Sequence, residues 1–356
     1  MAIEPLAPSA RKRAAGKRAS RVTIAMVARE AGVSVPTVSK VLNGRDEVGP
    51  DTRRRVQDAL SSTGYQRRAR SEPRKVGLVD FVITELDTGW ASELLRGAEQ
   101  EAYRLGTQLV LTVTHDRQAN PRDWLRTLTS RPTDGVVLVG SSTRHVPASR
   151  LRTIEAPFVV IDQFGGYEQD IPTIGATNWA GGFAATEHLL ELGHRRIGVI
   201  TGPDDVRCSL ERLDGYRAAL RRAGLPVDES LVRQGDFYAE GGRRGAAALL
   251  DLPEPPTAVF AGSDQQAAGV YEELRVRGLR APEDLSVIGF DDTDICEWLY
   301  PRLTTIRQPL AQMAVLAVRN VLEPAQPAGE SLRLELSTSL VVRESTGPLP
   351  GKRRRK

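Results

Sequence analysis

Residues Val22 to Tyr65 constrain the fold more than any other stretch of this 356-residue chain. Thr23 is a good N-cap, and Ile24, Val27, Ala28 and Ala31 then fall on one helix face. Gly32 ends that helix, because glycine tolerates positive φ. Ser34 caps a second helix, whose first turn accepts Pro36 because that amide has no helical partner anyway. Val38, Val41 and Leu42 point inward, which leaves Val35, Pro36, Thr37, Ser39, Lys40 and Asn43 on the outer face. The spacing predicts a third helix over Pro50–Ser62, with Val56 and Leu60 inward and Arg53, Arg54 and Arg55 near its start. Three short helices in this order specify a helix-turn-helix unit over 22–65. The outer face of its second helix carries small, hydroxyl and cationic groups that suit base edges and phosphates. Arginines at a helix start oppose the macrodipole, and an external phosphate would offset that cost.

Charge is partitioned in the same sense. Residues 1–75 hold 17 Lys and Arg against 7 Asp and Glu, a net of +10. Residues 76–351 hold 27 against 38, a net of −11, and the last five residues add +5. A basic head on an acidic body directs polyanions to the head, with strong salt dependence. The flanks 1–21 and 352–356 read as solvated basic tails, the first of them disordered. Lys40 and the Arg53 cluster do not, since they sit inside predicted helices.

From Val76 onward apolar strands alternate with amphipathic helices. Strands are predicted at Val76–Ile83, Leu109–Val113, Gly135–Val139, Phe158–Ile161, Ile197–Ile200, Ala258–Ala261 and Ser286–Gly289. Helices are predicted at Ala91–Leu105, Arg122–Leu128, Gly181–Leu192, Glu211–Ala223, Glu240–Leu250 and Gln265–Arg277. Near-continuous apolar strands separated by helices imply parallel sheets covered on both faces. The body is long enough for two such sheets, with ligands beyond the strand carboxyl ends and in a cleft between lobes.

Several function classes find little support in the residues. Two cysteines, Cys208 and Cys296, give no disulfide framework and suit a reducing compartment. No signal-peptide pattern and no run of about 18 apolar residues occur, so the expectation is a cytoplasmic chain without membrane contact. Among the four histidines, His188 and His194 lie around a helix end, where His194 can help cap. No metal-spaced Cys/His cluster, Walker loop or nucleophile elbow is present, so neither catalysis nor a cofactor is expected.

Val-Ala-x-x-Ala-Gly-Val-Ser-x-x-Thr-Val-Ser-x-Val-Leu-Asn at 27–43 resembles the DNA-reading motif of the LacI family of bacterial transcriptional regulators. Body segments at 187–198, 256–264 and 283–292 resemble the same family, as does Leu-Thr-Thr-Ile-Arg-Gln-Pro at 303–309. The resemblance runs from Val22 to about Glu344. It implies a small all-α helix-turn-helix domain followed by an α/β, two-lobed periplasmic-binding-protein-like body with parallel sheets. The implied domains are the head at 22–65, a shortened basic hinge at 66–75, a sensing and dimerising body at 76–344, and a basic tail at 345–356. One lobe would join 76–176 with 310–331, the other 177–306 with 332–344.

It also implies a repressor of carbohydrate uptake or catabolism genes, bound as a homodimer to a palindromic operator in double-stranded DNA. Thr23, Ser34, Thr37, Ser39 and Arg53 would hold phosphates, while Val35, Pro36 and Lys40 would face base edges. A small carbohydrate would occupy the cleft, its hydroxyls met by carboxylates and Arg and its ring faces by aromatics. Arg212 and Asp291 match the family's hydroxyl-binding positions, and Asp162 resembles a further acceptor at the cleft edge. Phe237 matches its stacking aromatic. Trp90 and Trp298 are further aromatic candidates. Ser263-Asp264 stands where the family usually has Asn-Asp, so Ser263 offers a shorter hydroxyl contact, and Asp264 can cap the helix from Gln265. The hinge is shorter than usual by about six residues, with Arg67 and Arg68 in place of Pro-Asn and no leucine to wedge the minor groove. Arg67 and Arg68 either enter the groove as charges or belong to a plain basic linker. A sugar-binding transport receptor without specific DNA binding, or a carbohydrate-processing enzyme, remains an alternative.

Overall fold

The computed structural model describes residues 23–42, 48–63, 75–114, 124–126, 128, 130–140, 146–162, 171–324 and 332–349. The chain divides into a head ending at Arg74 and a body starting at Lys75. Asn43, Arg67 and Arg68 lie outside the described residues, as do residues 1–22 and 350–356 and all of the hinge except Lys75.

The head contains α1 (Ile24–Glu30), α2 (Val35–Leu42) and α3 (Pro50–Thr63). Val27, Val38 and Val56, one from each helix, are fully buried together, with Ala28, Ala31, Val41, Val48 and Ala59 around them. Gly32 takes φ +62° after α1, and Val33 N–H bonds Ala28 O at 2.9 Å, so the carbonyls ending the helix are satisfied as predicted. Thr23 occupies the N-cap position without a side-chain cap bond. Ser34 does cap α2: its Oγ accepts from Thr37 N–H at 3.3 Å and lies 2.8 Å from the Thr37 hydroxyl.

The body holds two six-stranded sheets. Lobe 1 has the strand order β11-β5-β4-β3-β1-β2, all parallel. These are β1 (Leu78–Ile83), β2 (Gln108–Val113), β3 (Gly135–Val139), β4 (Phe158–Ile161), β5 (Thr173–Ala176) and β11 (Arg333–Leu336). Lobe 2 has the order β12-β10-β9-β8-β6-β7, with only β12 antiparallel. These are β6 (Ile197–Thr201), β7 (Val232–Gln234), β8 (Ala258–Ala261), β9 (Ser286–Asp291), β10 (Thr304–Arg307) and β12 (Ser339–Val341).

Helices cover the sheets: α4 (Gly89–Arg104) and α5 (Ala148–Leu151) in lobe 1, and α6 (Asn178–Glu191), α7 (Arg207–Arg222), α8 (Ala239–Leu250), α9 (Asp264–Val276) and α10 (Ile295–Trp298) in lobe 2. The last helix, α11 (Leu310–Leu322), returns to lobe 1 and packs on α4. Buried Glu101 of α4 joins the pair, accepting from Arg104 at 2.8 Å and from Arg319 of α11 at 2.9 Å. Trp124, Leu125 and Leu128 are buried as the predicted helix there requires, although Arg122 is not described.

Two expected boundaries move. Residues 332–344 do not all belong to lobe 2, because β11 pairs with β5 in lobe 1 and the chain crosses over at 337–338. The body also continues past Glu344. Ser345 is fully buried, donating to Val287 O at 2.6 Å and accepting from Thr304 N–H at 2.7 Å. His194 serves both the helix end and this seam: its backbone N–H donates to Leu189 O at 3.1 Å at the end of α6, while its ring joins the seam with Nε2 3.0 Å from Gly347 O and Nδ1 2.9 Å from Thr257 Oγ1. A polar Ser-Thr-Gly segment has no apolar period, so its burial by hydrogen bonding leaves no hydropathy signal.

α6 and α7 approach backbone to backbone. A Cβ on Gly182 would lie 2.2 Å from Arg212 O, and one on Gly215 would lie 2.2 Å from Trp179 O. These two glycines let α7 seat deeply enough to hold Arg212 at the sheet's end. Gly182→Ala is therefore expected to destabilise the body by about 1–3 kcal/mol through overpacking. Chemical denaturation of the two proteins checks this, and an unchanged midpoint would contradict it.

Candidate functional site

In the head, Val35 and Pro36 are exposed at the start of α2, and Thr37, Ser39 and Lys40 are partly exposed beside them. The outer face is thus the one predicted. Two hydroxyls on it have structural duties, since Ser34 and Thr37 bond one another. Each hydroxyl retains capacity for a further partner. Of the three arginines in α3, Arg55 is accounted for internally. Its guanidinium donates to Ala31 O at 2.6 Å and Gly32 O at 3.2 Å, at the carbonyl end of α1. That end carries partial negative charge, so Arg55 finds its anion inside the domain. Arg54 is exposed and Arg53 partly exposed.

In the body, four non-glycine residues among those described have positive φ: Asp162 (51°), Phe237 (71°), Asp291 (123°) and Asp292 (61°). Three of them are predicted site residues. Such backbone is costly and persists where surroundings enforce it, often at functional sites.

Arg212 and Asp291 come together, both buried, with a guanidinium nitrogen 3.8 Å from Asp291 Oδ1. Arg212 donates to Asn178 Oδ1 at 2.9 Å and Gly262 O at 2.6 Å. Its guanidinium lies over the Phe290 ring at 3.7 Å and near the Phe237 ring at 5.6 Å. Asp291 Oδ1 accepts from Gln308 Nε2 at 2.7 Å, and Asp291 O accepts from Gln308 N–H at 3.1 Å. Burial pushes the Asp291 carboxyl up to about 8; Arg212 pulls against this, while nearby Asp264 reinforces it. Asp162, at the end of β4, is pushed up to about 6, again chiefly by burial, with the Ala176 N–H as a compensating donor. Across the cleft mouth the Tyr238 hydroxyl donates to Glu85, and Gln265 Nε2 reaches Asp87 O at 3.4 Å.

Other expected members are placed differently. The Ser263 hydroxyl is committed within the protein, donating to Phe237 O at 2.7 Å and accepting from Gln266 N–H at 3.1 Å. Ser263, not Asp264, caps α9. Asp264 is buried and accepts from Thr305 Oγ1 at 2.6 Å and from Thr293 N–H at 2.8 Å. Trp298 is 84% exposed and covers nothing as a stacking plate would. Trp90, next to the start of α4, packs its partly buried ring against the lobe 1 core. The Phe237 ring sits so close over Gly202 that a Cβ there would lie 2.1 Å from it.

Residues the sequence did not mark include Asn178, Gln308 and Phe290, which hold Arg212 and Asp291. A pocket beside them is lined by Asp162, Asn178, Cys208 and Glu211, together with residues of β5 and β11. Gln308 and Phe290 carried a signal, as part of the 303–309 and 283–292 segments, and Asn178 did not. Among the described residues, no group of three or more His, Cys, Asp or Glu is placed to hold a metal ion. Nor is any helix among them long and apolar enough to cross a membrane.

The raised Asp291 carboxyl sets a pH signature. The folded state retains its proton between the unfolded value of 3.8 and about 8, so this group's stabilisation is complete below about pH 4 and is lost as pH rises through 8. Asp291→Asn is expected to lose less stability than the parent between pH 5 and pH 8.5. Thermal melts of both proteins at the two values test it, and parallel pH profiles would refute it. His188 and His194, whose pKa values burial lowers, act in the opposite sense in both proteins and cancel in the comparison.

Residues 23–68 match the family model for bacterial regulatory proteins of the lacI family, and residues 186–346 match that for a periplasmic binding protein-like domain. The HTH-type transcriptional repressor CytR of Escherichia coli (strain K12) is 35% identical over 341 residues, spanning 94% of this chain and 99% of that protein. The structure of the transcriptional regulator CelR–cellobiose complex aligns with a TM-score of 0.69 at 35% identity, covering 91% of this chain and all of that one. The lac repressor dimer bound to operator and the anti-inducer ONPF aligns at 0.67 with 26% identity, covering 92% and 100%. A DNA-reading helical head on a two-lobed body, matched over nearly its whole length, makes this chain a transcriptional regulator that belongs to the LacI family.

Proposed function

We propose that the protein is a dimeric repressor of carbohydrate uptake or catabolism genes, relieved or engaged by a small sugar in the inter-lobe cleft. The observation that carries this reading is the buried Arg212–Asp291 pair at the strand ends of lobe 2. A guanidinium and a carboxyl fixed side by side offer donors and acceptors in the pattern vicinal hydroxyls require. The relatives support the same reading, since one is a repressor, one a complex with cellobiose and one a dimer on an operator.

The site also sits where lobe motion is felt. Asn178 follows the crossover from β5 to α6, and Gln308 lies on the crossover from β10 to α11. A ligand that engages Arg212 and Asp291 competes with bonds to both. Its preference for one lobe arrangement is a coupling free energy, typically about 1–3 kcal/mol between sites. Two copies of α2 read the half-sites of a palindrome, because twofold protein symmetry requires twofold DNA symmetry.

Lys40→Ala is expected to weaken binding to an inverted-repeat operator about tenfold or more, corresponding to loss of one specific contact. Body stability should not change. Gel-shift titration beside thermal unfolding checks this, and equal operator affinity would remove Lys40 from the interface. Arg212→Lys is expected to retain operator binding and lose the sugar response, since an ammonium cannot reproduce the guanidinium fork. A full sugar response in that variant would place the effector elsewhere.

A further inference from the structure

The run Lys352-Arg353-Arg354-Arg355-Lys356 adds five positive charges to an acidic body and has no part in the operator or effector sites. The segment just before it is firmly held. Leu349 N–H donates to Leu192 O at 3.0 Å, Gly347 N–H donates to the Ser286 hydroxyl at 3.1 Å, and Ser345 is fully buried. Leu192 lies just before β6, and Ser286 opens β9. Asp291 and Phe237, by contrast, stand at or beyond strand ends, on the cleft side. The run is therefore tethered at the strand-start pole of lobe 2, facing away from the cleft. The chain enters the body at Lys75, just before β1, at the matching pole of lobe 1. Strand ends of the two lobes face each other, with Tyr238 meeting Glu85 between them, so entry and exit lie at opposite ends of the body. Residues 350–356 span at most about 24 Å fully extended, against about 50 Å across a compact body of this length. The run does not reach back to the entry point.

The pole does not neutralise these charges. Its acids are largely paired already: Asp228 with Arg196 and Asp251 with Arg277, both at 2.8 Å, and Glu344 with Arg302 at 2.6 Å. Among the described residues leading into β6, β7, β8 and β9, Glu191, Glu254, Glu283 and Asp284 have no ion pair, but neither do Arg195, Arg221 and Arg280. The pole is thus close to balanced without the run, whose charge is left for an external polyanion. No aromatic or apolar residue separates the five cations. Stacking on single-stranded bases and insertion into a lipid interface both need such residues. A duplex phosphate backbone needs only closely spaced cations, and duplex DNA is the polyanion that the head already holds nearby.

We propose that residues 352–356 bind the phosphate backbone of a second DNA duplex, without regard to sequence, so that one molecule joins the DNA under its head to a segment at the far end of its body. The test uses the full-length protein and a variant with Lys352→Gln, Arg353→Gln, Arg354→Gln, Arg355→Gln and Lys356→Gln combined. A random-sequence duplex is fixed on beads and loaded with protein at low salt, and retention of a second, fluorescent duplex is read. The parent should retain it and release it as salt rises, and the variant should retain about tenfold less. Binding of either protein to the fixed duplex should agree within about twofold. Equal retention by the two proteins overturns the inference, as does none by the parent. A variant that binds the fixed duplex itself with a salt slope lower by about 4 also overturns it, since the run then lies on the same DNA as the head. A lowered unfolding midpoint in the variant does so too, since the run is then spent on the body.

Discussion

Lobe 2 is organised around a guanidinium taken out of water. An ion buried without partners would cost far more than a domain's net stability, so the position of Arg212 dictates what surrounds it. Asn178, Gly262, and the adjacent Phe290 and Asp291 meet it from three separate places in the chain. Gly182 and Gly215 let α6 and α7 close to the distance at which those contacts form. Building the lobe and building the buried Arg212–Asp291 pair are thus one event, and weakening either weakens the other.

The same partners tie the pair to the chain's crossings between lobes. Asn178 and Gln308 each sit at such a crossing, and the Asp162 carboxyl accepts from Ala176 on the other side of the Asn178 crossing. The crossings are themselves stitched: Thr338 N–H donates to Thr177 Oγ1 at 3.0 Å, and Thr177 N–H to Leu336 O at 2.9 Å. These hydrogen bonds couple the crossings at 177–178 and 337–338 to each other across the lobe boundary. Burial pushes the Asp291 carboxyl up to about 8, so it is mostly protonated at neutral pH, whereas Asp162, pushed up to about 6, is mostly ionised there.

The head solves a different problem with few residues. Its core is five valines and three alanines, so capping and end-charge contacts carry proportionally more of its stability. Gly32, the Ser34–Thr37 pair and Arg55 all serve the joint between α1 and α2. That joint sets the angle at which α2 presents Val35, Pro36 and Lys40.

The sequence alone determined the features that follow from local rules. The caps and apolar spacing of 22–65 placed all three head helices, and continuous apolar runs placed the central strands β1, β3, β4, β6, β8 and β9 in parallel sheets. Motif position picked out Arg212, Asp291, Asp162 and Phe237, and the structure places Arg212 beside Asp291. Tertiary structure decided the remainder. β5, β7, β10, β11 and β12 are three or four residues long and carry too little periodicity to be seen before a partner strand is known. β11 becomes a strand only by pairing with β5, some 160 residues earlier, which moved it to the other lobe. Ser263 looked available and was spent on a cap and on Phe237, and Trp298 looked like a ring cover and faces solvent. Hydrogen-bond commitments and exposure depend on neighbours distant in the chain, whereas caps and periodicities are written within a few residues of where they act.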